Sequence, residues 1–151
     1  MSKYALRQKI IRRIRKFELT ETEIDELIRI GDCQYNPSGT LSPGEPYNTI
    51  KLMIETFSER ERYDLMCLMY LGRNIAYYGF NEEAVDDFCF HADEWGKRSW
   101  HGSTDPEYLA GKVQMAKWLR LAKENVRPDY WNSESVDGNE TLKAEEVGVP
   151  L

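Results

Sequence analysis

No apolar run in the sequence approaches the roughly 18 residues that a membrane-crossing helix needs, so a membrane span is not expected. No apolar core follows the basic residues at the N-terminus, so a secretory signal is not expected either. Cysteine is scarce. Cys33, Cys67 and Cys89 stand far apart and make neither a C-x-x-C pair nor an even disulfide framework. A reducing, cytoplasmic compartment is the natural expectation. Histidine is scarcer still, with His91 and His101 alone. G-x-S-x-G is missing, and Gly96-Lys97-Arg98-Ser99 lacks the upstream glycine of a phosphate loop. Nowhere do β-branched residues alternate over a strand's length, so a sheet is not expected. There is no internal repeat and no low-complexity tract.

What is present is a globular composition: 151 residues, 41% hydrophobic and 30% charged. That is enough for one domain with residues to spare for tails. The net charge of -6 is unevenly placed. Residues 1–17 carry Lys3, Arg7, Lys9, Arg12, Arg13, Arg15 and Lys16 and no acid, for +7. Residues 18–126 sum to -9 and residues 127–151 to -4. The chain therefore divides into a basic amphipathic N-terminal helix (1–17), a helical domain (18–126) and an acidic tail (127–151). An acidic body is unsuited to coating nucleic acid with its whole surface.

Leu6, Ile10, Ile14 and Phe17 form one helical stripe within the basic segment. Thr20 and Glu23 make a capping box for a second helix, with Ile24, Leu27 and Ile28 inward and Gly31 as a stop. Prolines 37, 43 and 46 mark residues 31–46 as a loop. Asn48 can cap a helix carrying Ile50, Met53, Ile54 and Phe57. Ser58 and Glu61 make another capping box, before an apolar helix through Leu65, Met66, Leu68, Met69 and Leu71 that Gly72 can end. Residues 74–80 read as an extended piece or a link. Asn81 caps a helix with Ala84, Phe88, Ala92 and Trp95 inward. Thr104-Asp105-Pro106-Glu107 opens a final helix to about Asn125, with Leu109, Val113, Ala116, Leu119 and Ala122 inward and Gly111 within it. The expected fold is all-α: an irregular bundle of five or six helices with a disordered acidic C-terminal tail.

Asp64-Leu65, Leu68-Met69, Leu71-Gly72-Arg73, Glu83-Ala84, Tyr108-Leu109-x-Gly111 and Leu119 follow one another at a spacing that resembles the uncharacterised bacterial family catalogued as domain of unknown function 3775. The likeness covers roughly residues 19–125 and is strongest over 50–120. It implies a small helical bacterial domain and carries no assigned activity, so it supplies no catalytic residue. Gly111 within a helix implies close helix–helix approach. Arg73 has three readings: a bond to the last free carbonyls of its helix, a pair with Asp64 or Glu83 that ties two helices together, or one side of an anion pocket.

Chemistry has few anchors. Glu83, Asp87, His91 and Glu94 share one helix flank, three carboxylates and an imidazole that suit a transition metal, with Asp87, His91 and Glu94 as the candidate ligands. A carboxylate-bridged bundle needs a second such set from another helix, and none exists. Cys89 and His91 face away from each other on a helix, and Cys67 belongs to a core run. No catalytic residue and no cofactor is expected, and an enzyme is less expected than a binding protein. The basic helix, with Arg7, Arg12, Arg13, Arg15 and Lys16, can contact an acidic partner or nucleic-acid phosphates, or dock its stripe on its own acidic body. Trp100 and His101 in a Gly- and Ser-containing loop are candidate contact anchors. The expected function is a non-enzymatic protein–protein interaction module. Nucleic-acid association through residues 1–17 and a metal-dependent enzyme are the alternatives.

Overall fold

The computed structural model describes residues 1–32, 45–97 and 104–126. Among them are seven helices and no strand. They are α1 (Lys3–Ile14), α2 (Glu21–Asp32), α3 (Glu45–Glu55), α4 (Glu59–Tyr78), α5 (Glu82–Asp93), α6 (Pro106–Ala110) and α7 (Met115–Glu124). The all-α expectation holds. The count exceeds five or six because the last expected helix is two, broken between Gly111 and Gln114.

Three helix starts follow directly from local chemistry. Thr20 Oγ1 accepts from the Glu23 N–H, and the Glu23 carboxylate accepts from the Thr20 N–H. Ser58 and Glu61 make the same reciprocal pair before α4. Asn81 accepts from the Ala84 N–H and starts α5. Each bond satisfies a backbone donor that a helix start leaves free.

Helix ends depart from expectation. Gly31 does not stop α2, which continues to Asp32. Asn48 caps nothing, because α3 begins at Glu45 with Pro46 in its first turn. Gly72 does not end α4. The helix runs through residues 74–78, expected as a link, and stops at Gly79 with φ +87°. That left-handed conformation is one that glycine tolerates without a side-chain clash. Gly72 instead lets two helices touch: an added Cβ would lie 1.8 Å from the Trp118 carbonyl oxygen of α7. Gly31 plays a milder version of the same part against Ala116 Cβ, at 2.8 Å. Gly111 lies past the end of α6 with φ -72° and makes no close helix–helix approach.

The long helix α4 is the centre of the bundle and packs against α5 and α7, with α2 on α7 and α3 on α6. Leu65, Leu68 and Met69 are fully buried on α4, beside Phe88, Leu119 and Ala122 from its neighbours. The N-terminal helix belongs to the same core. Leu6, Ile10, Ile11 and Ile14 are no more than 3% exposed, and Phe17 packs half-buried against the cluster. The stripe therefore docks on the chain's own body. Two residues expected inward point out: Val113 (57% exposed) sits at the α6–α7 break, and Trp95 (40%) lies just past α5. Among the described residues no helix is long and apolar enough to cross a membrane. Cys33, the 33–44 part of the proline-rich loop, Trp100, His101 and the acidic tail lie outside the described residues.

Candidate functional site

Seven cations crowd residues 1–17, and the fold assigns several of them. Lys9 lies 3.4 Å from Asp86, and Arg13 makes a two-pronged contact with Asp93 at 3.0 and 3.2 Å. The first residue's amino group reaches Glu82 at 4.0 Å. The exposed acids of α5 thus form a ladder for α1. The Asp93 carboxyl is held below its usual range by the Arg13 guanidinium that hydrogen-bonds it. Lys3, Arg12 and Lys16 remain exposed, and Arg7 and Arg15 are half-buried.

A cleft of about 420 Å³ opens beside this ladder, lined by Arg13, Lys16, Glu18, Arg60, Asp93 and Trp95. The Arg60 guanidinium lies 5.5 Å from the Phe17 ring centre and 5.2 Å from that of Trp95. Its Nε is 2.9 Å from Oδ1 of Asp64, which is fully buried. The other Asp64 oxygen accepts from the Glu18 and Leu19 N–H groups at 2.7 and 3.1 Å. Burial pushes the Asp64 carboxyl up to about 6, against the pull of those N–H groups and of Arg60. Asp64 thus pins the α1–α2 connection to α4. Sequence reasoning missed it, and it also overturns an Arg73–Asp64 pair, since Arg60 holds that place. Most of the cleft's charges are spent on one another. Arg13 is taken by Asp93, Arg60 by Asp64, and Glu18 accepts from the Ser58 hydroxyl at 2.9 Å.

The metal flank is differently engaged. Asp87 lies 3.4 Å from His91 Nε2 and accepts from the Asn74 amide at 3.0 Å. Glu94 is 3.9 Å from Lys97. Glu83 lines a shallow pocket with Asn74 and Asp87 and does not pair with Arg73. Among the described residues no group of three or more His, Cys, Asp or Glu side chains is arranged to hold a metal ion. Cys67 and Cys89 are buried, and burial raises both thiols. A raised thiol holds little thiolate, the nucleophilic form.

Arg73 occupies the most distinctive surface. It stands one turn after Tyr70 on α4, with its guanidinium 4.4 Å from the Tyr70 ring centre. Tyr108 on α6 brings its hydroxyl to 3.4 Å from that of Tyr70. Lys112, four residues after Tyr108, places its ammonium 4.3 Å from the Tyr108 ring centre. Burial pushes the Tyr70 phenol up to about 12. The Tyr108 phenol is held below its ordinary value, first by the Tyr70 hydroxyl and then by Lys112. Neither Arg73 nor Lys112 has a carboxylate partner among the described residues. The sequence singled out Arg73 as a candidate and Tyr108 only as part of a motif, and it did not name Tyr70 or Lys112. Their signal was two helical pairs, Tyr70–Arg73 at i,i+3 and Tyr108–Lys112 at i,i+4, whose meeting only the fold discloses. Of the other candidates named from sequence, Arg13 and Lys16 line the cleft, Arg7 and Arg12 lie on α1 and Arg15 is its C-cap. No protein-family model, curated protein or solved structure matches the chain.

Proposed function

We propose that this chain is a non-enzymatic helical interaction module that binds a protein partner through the surface where α4 meets α6. One observation carries the reading: two cations, Arg73 and Lys112, lie against two tyrosines with no carboxylate among the described residues paired to either, on a chain of net charge -6. Elsewhere on the body several cations meet acids, as Arg120 meets Asp32 and Lys123 meets Asp25. Tyrosine and arginine dominate the contacts that carry binding energy at protein interfaces. Exposed Val113, next to Lys112, adds apolar area to the same edge. The kinship to domain of unknown function 3775 is part of the proposal: Leu71-Gly72-Arg73 and Tyr108-Leu109-x-Gly111 flank this one surface. A bacterial, cytoplasmic setting goes with it, supported by the resemblance and the scarcity of cysteine.

Nucleic-acid association through α1 draws less support. Lys9 and Arg13 are matched by α5, and Lys3, Arg12 and Lys16 are the fully exposed cations that remain on that segment. A metal-dependent enzyme draws less again, since Asp87 and His91 face each other from one helix.

Photo-crosslinking tests the reading. A photoreactive phenylalanine replaces exposed Val113, beside Lys112, in one version and exposed Glu124 on α7 in another, each irradiated in lysate of the source cells. The expected result is a discrete protein adduct from position 113 that position 124 does not give. Identical adducts from both positions, or none from 113, would count against the surface.

A further inference from the structure

We propose that the group recognised at the α4–α6 surface is a phosphomonoester. The inference rests on the interaction-module reading for its setting and on the geometry of Tyr70, Tyr108, Arg73 and Lys112 for its chemistry.

The hydroxyls of Tyr70 and Tyr108 are 3.4 Å apart. That is long for a bond between them, since O–H···O contacts centre on about 2.7–2.8 Å. It suits a single acceptor oxygen set against the pair, because two donors at this spacing can each reach one atom at that shorter distance. The exposure agrees. Tyr108 is 41% exposed, so a ligand can reach the pair from solvent, and Lys112 lies against the Tyr108 ring.

Charge selects the ligand. The charged groups acting on the two phenols are Arg73 and Lys112, with no carboxylate among them. A phosphomonoester carries about -1.5 to -2 at neutral pH and three terminal oxygens, so two cations and two hydroxyls match it in charge and in donors. A carboxylate needs only one of the cations. A nucleic-acid backbone spreads single charges along a row, whereas here two hydroxyls stand 3.4 Å apart with one cation against each ring. The aromatic walls also suit arginine as the recognising cation, since a guanidinium stacked on a ring is held ready to bond an oxyanion with its edge.

Two kinds of molecule present this group, a phosphorylated side chain and a free phosphorylated metabolite, and the test separates them. The full chain, uniformly labelled with nitrogen-15, is titrated with inorganic phosphate, with phosphotyrosine and with acetate at constant ionic strength. Saturable shifts centred on Tyr70, Arg73, Tyr108 and Lys112 are expected with both phosphates, with acetate at least ~10-fold weaker. Tyr108→Phe removes one hydrogen bond to a charged group and is expected to weaken phosphate binding about 10-fold or more. Because Tyr108 is exposed, this variant keeps the wild-type melting curve, and Arg73→Gln and Lys112→Gln give independent losses. Unsaturable shifts, acetate matching phosphate, or Tyr108→Phe binding as wild type would each overturn the inference. Crosslinking at position 113 is then repeated in phosphatase-treated lysate. Loss of the adduct supports a phosphorylated protein as the source. An adduct that survives overturns the phosphoryl inference and leaves the interaction module standing. Phosphate binding with no adduct in untreated lysate overturns the module and assigns the site to a free phosphorylated metabolite.

Discussion

Replacing Gly72 by alanine places a methyl carbon 1.8 Å from the Trp118 carbonyl oxygen, 2.4 Å from its carbonyl carbon and 2.7 Å from its Cα. All three are backbone atoms of α7, so no rotamer change relieves the clash. Ordinary contact begins near 3.4 Å, so α7 must retreat by roughly 1.6 Å. A gap of about 0.5–1 Å already forfeits a quarter to a half of the dispersion energy between facing atoms. The seam at risk includes Leu68 and Met69, one turn before Gly72, and Leu119 and Ala122 on α7, all fully buried. In a solvent-facing helix the same change stabilises by about 1 kcal/mol. Here the expected net loss is about 4 kcal/mol or more, a large part of the ~5–15 kcal/mol that holds a domain of this size. Urea unfolding followed by far-ultraviolet circular dichroism measures it, with Gly111→Ala as the control. At Gly111 the nearest foreign atom lies at 3.2 Å and the backbone is already right-handed, so that change should stay within about 1 kcal/mol. A Gly72→Ala protein as stable as wild type would refute the reading of Gly72 as the α4–α7 contact point.

Further outcomes follow from the same structure. Ile10→Ala should cost about 2–5 kcal/mol, while exposed Arg12→Ala changes stability by less than about 0.5 kcal/mol, because α1 is core on one side and solvated on the other. Equal effects in thermal melts would mean that α1 is not docked. Gln8 is 4% exposed with both amide atoms unpaired, so the near-isosteric Gln8→Met should raise stability by about 1–2 kcal/mol; a loss of stability on urea unfolding would show that the amide is satisfied. Asp64 has a carboxyl raised in the fold to about 6 from an ordinary 3.8. Between those values the native state holds the extra proton, so this residue's stabilisation is full below about pH 4 and is lost as pH rises through about 6. The shift corresponds to about 3 kcal/mol. Asp64→Asn should lack that fall, and parallel stability–pH curves for the two proteins would contradict the assignment.

How much was legible from sequence depended on how local the cause was. The Thr20–Glu23 and Ser58–Glu61 boxes and the Asn81 cap announce helix starts because donor and acceptor lie within one turn. Gly72 and Gly31 were misread as stops because glycine serves two purposes. It ends helices, and it admits a second backbone, and only the position of α7, more than 40 residues away, decides between them. Asp64 reads as a surface acid in a helix, since the N–H groups that it accepts from lie 46 and 45 residues earlier. The docking of α1 was visible as a stripe, but its ladder of Asp86 and Asp93 was not, because those acids lie 77 and 80 residues from the cations they meet. At the α4–α6 surface Arg73 stood out from its motif. Tyr70, Tyr108 and Lys112 joined it only when the two helices met. The docked stripe also rules out deleting residues 1–17 as a test of binding, since the deletion would open the core.

The most direct test reverses charge and leaves the core untouched. Arg73→Glu with Lys112→Glu changes two half-buried surface side chains on α4 and beyond α6. Affinity capture from lysate of the source cells, quantified by mass spectrometry, compares this double variant with wild type and with Arg12→Glu plus Lys16→Glu, on and just past α1. The account predicts that a specific set of proteins is lost with the Arg73–Lys112 pair and kept with the α1 pair. The reverse pattern, or full retention by a folded Arg73–Lys112 variant, would contradict the α4–α6 surface as the place where this chain binds its partner.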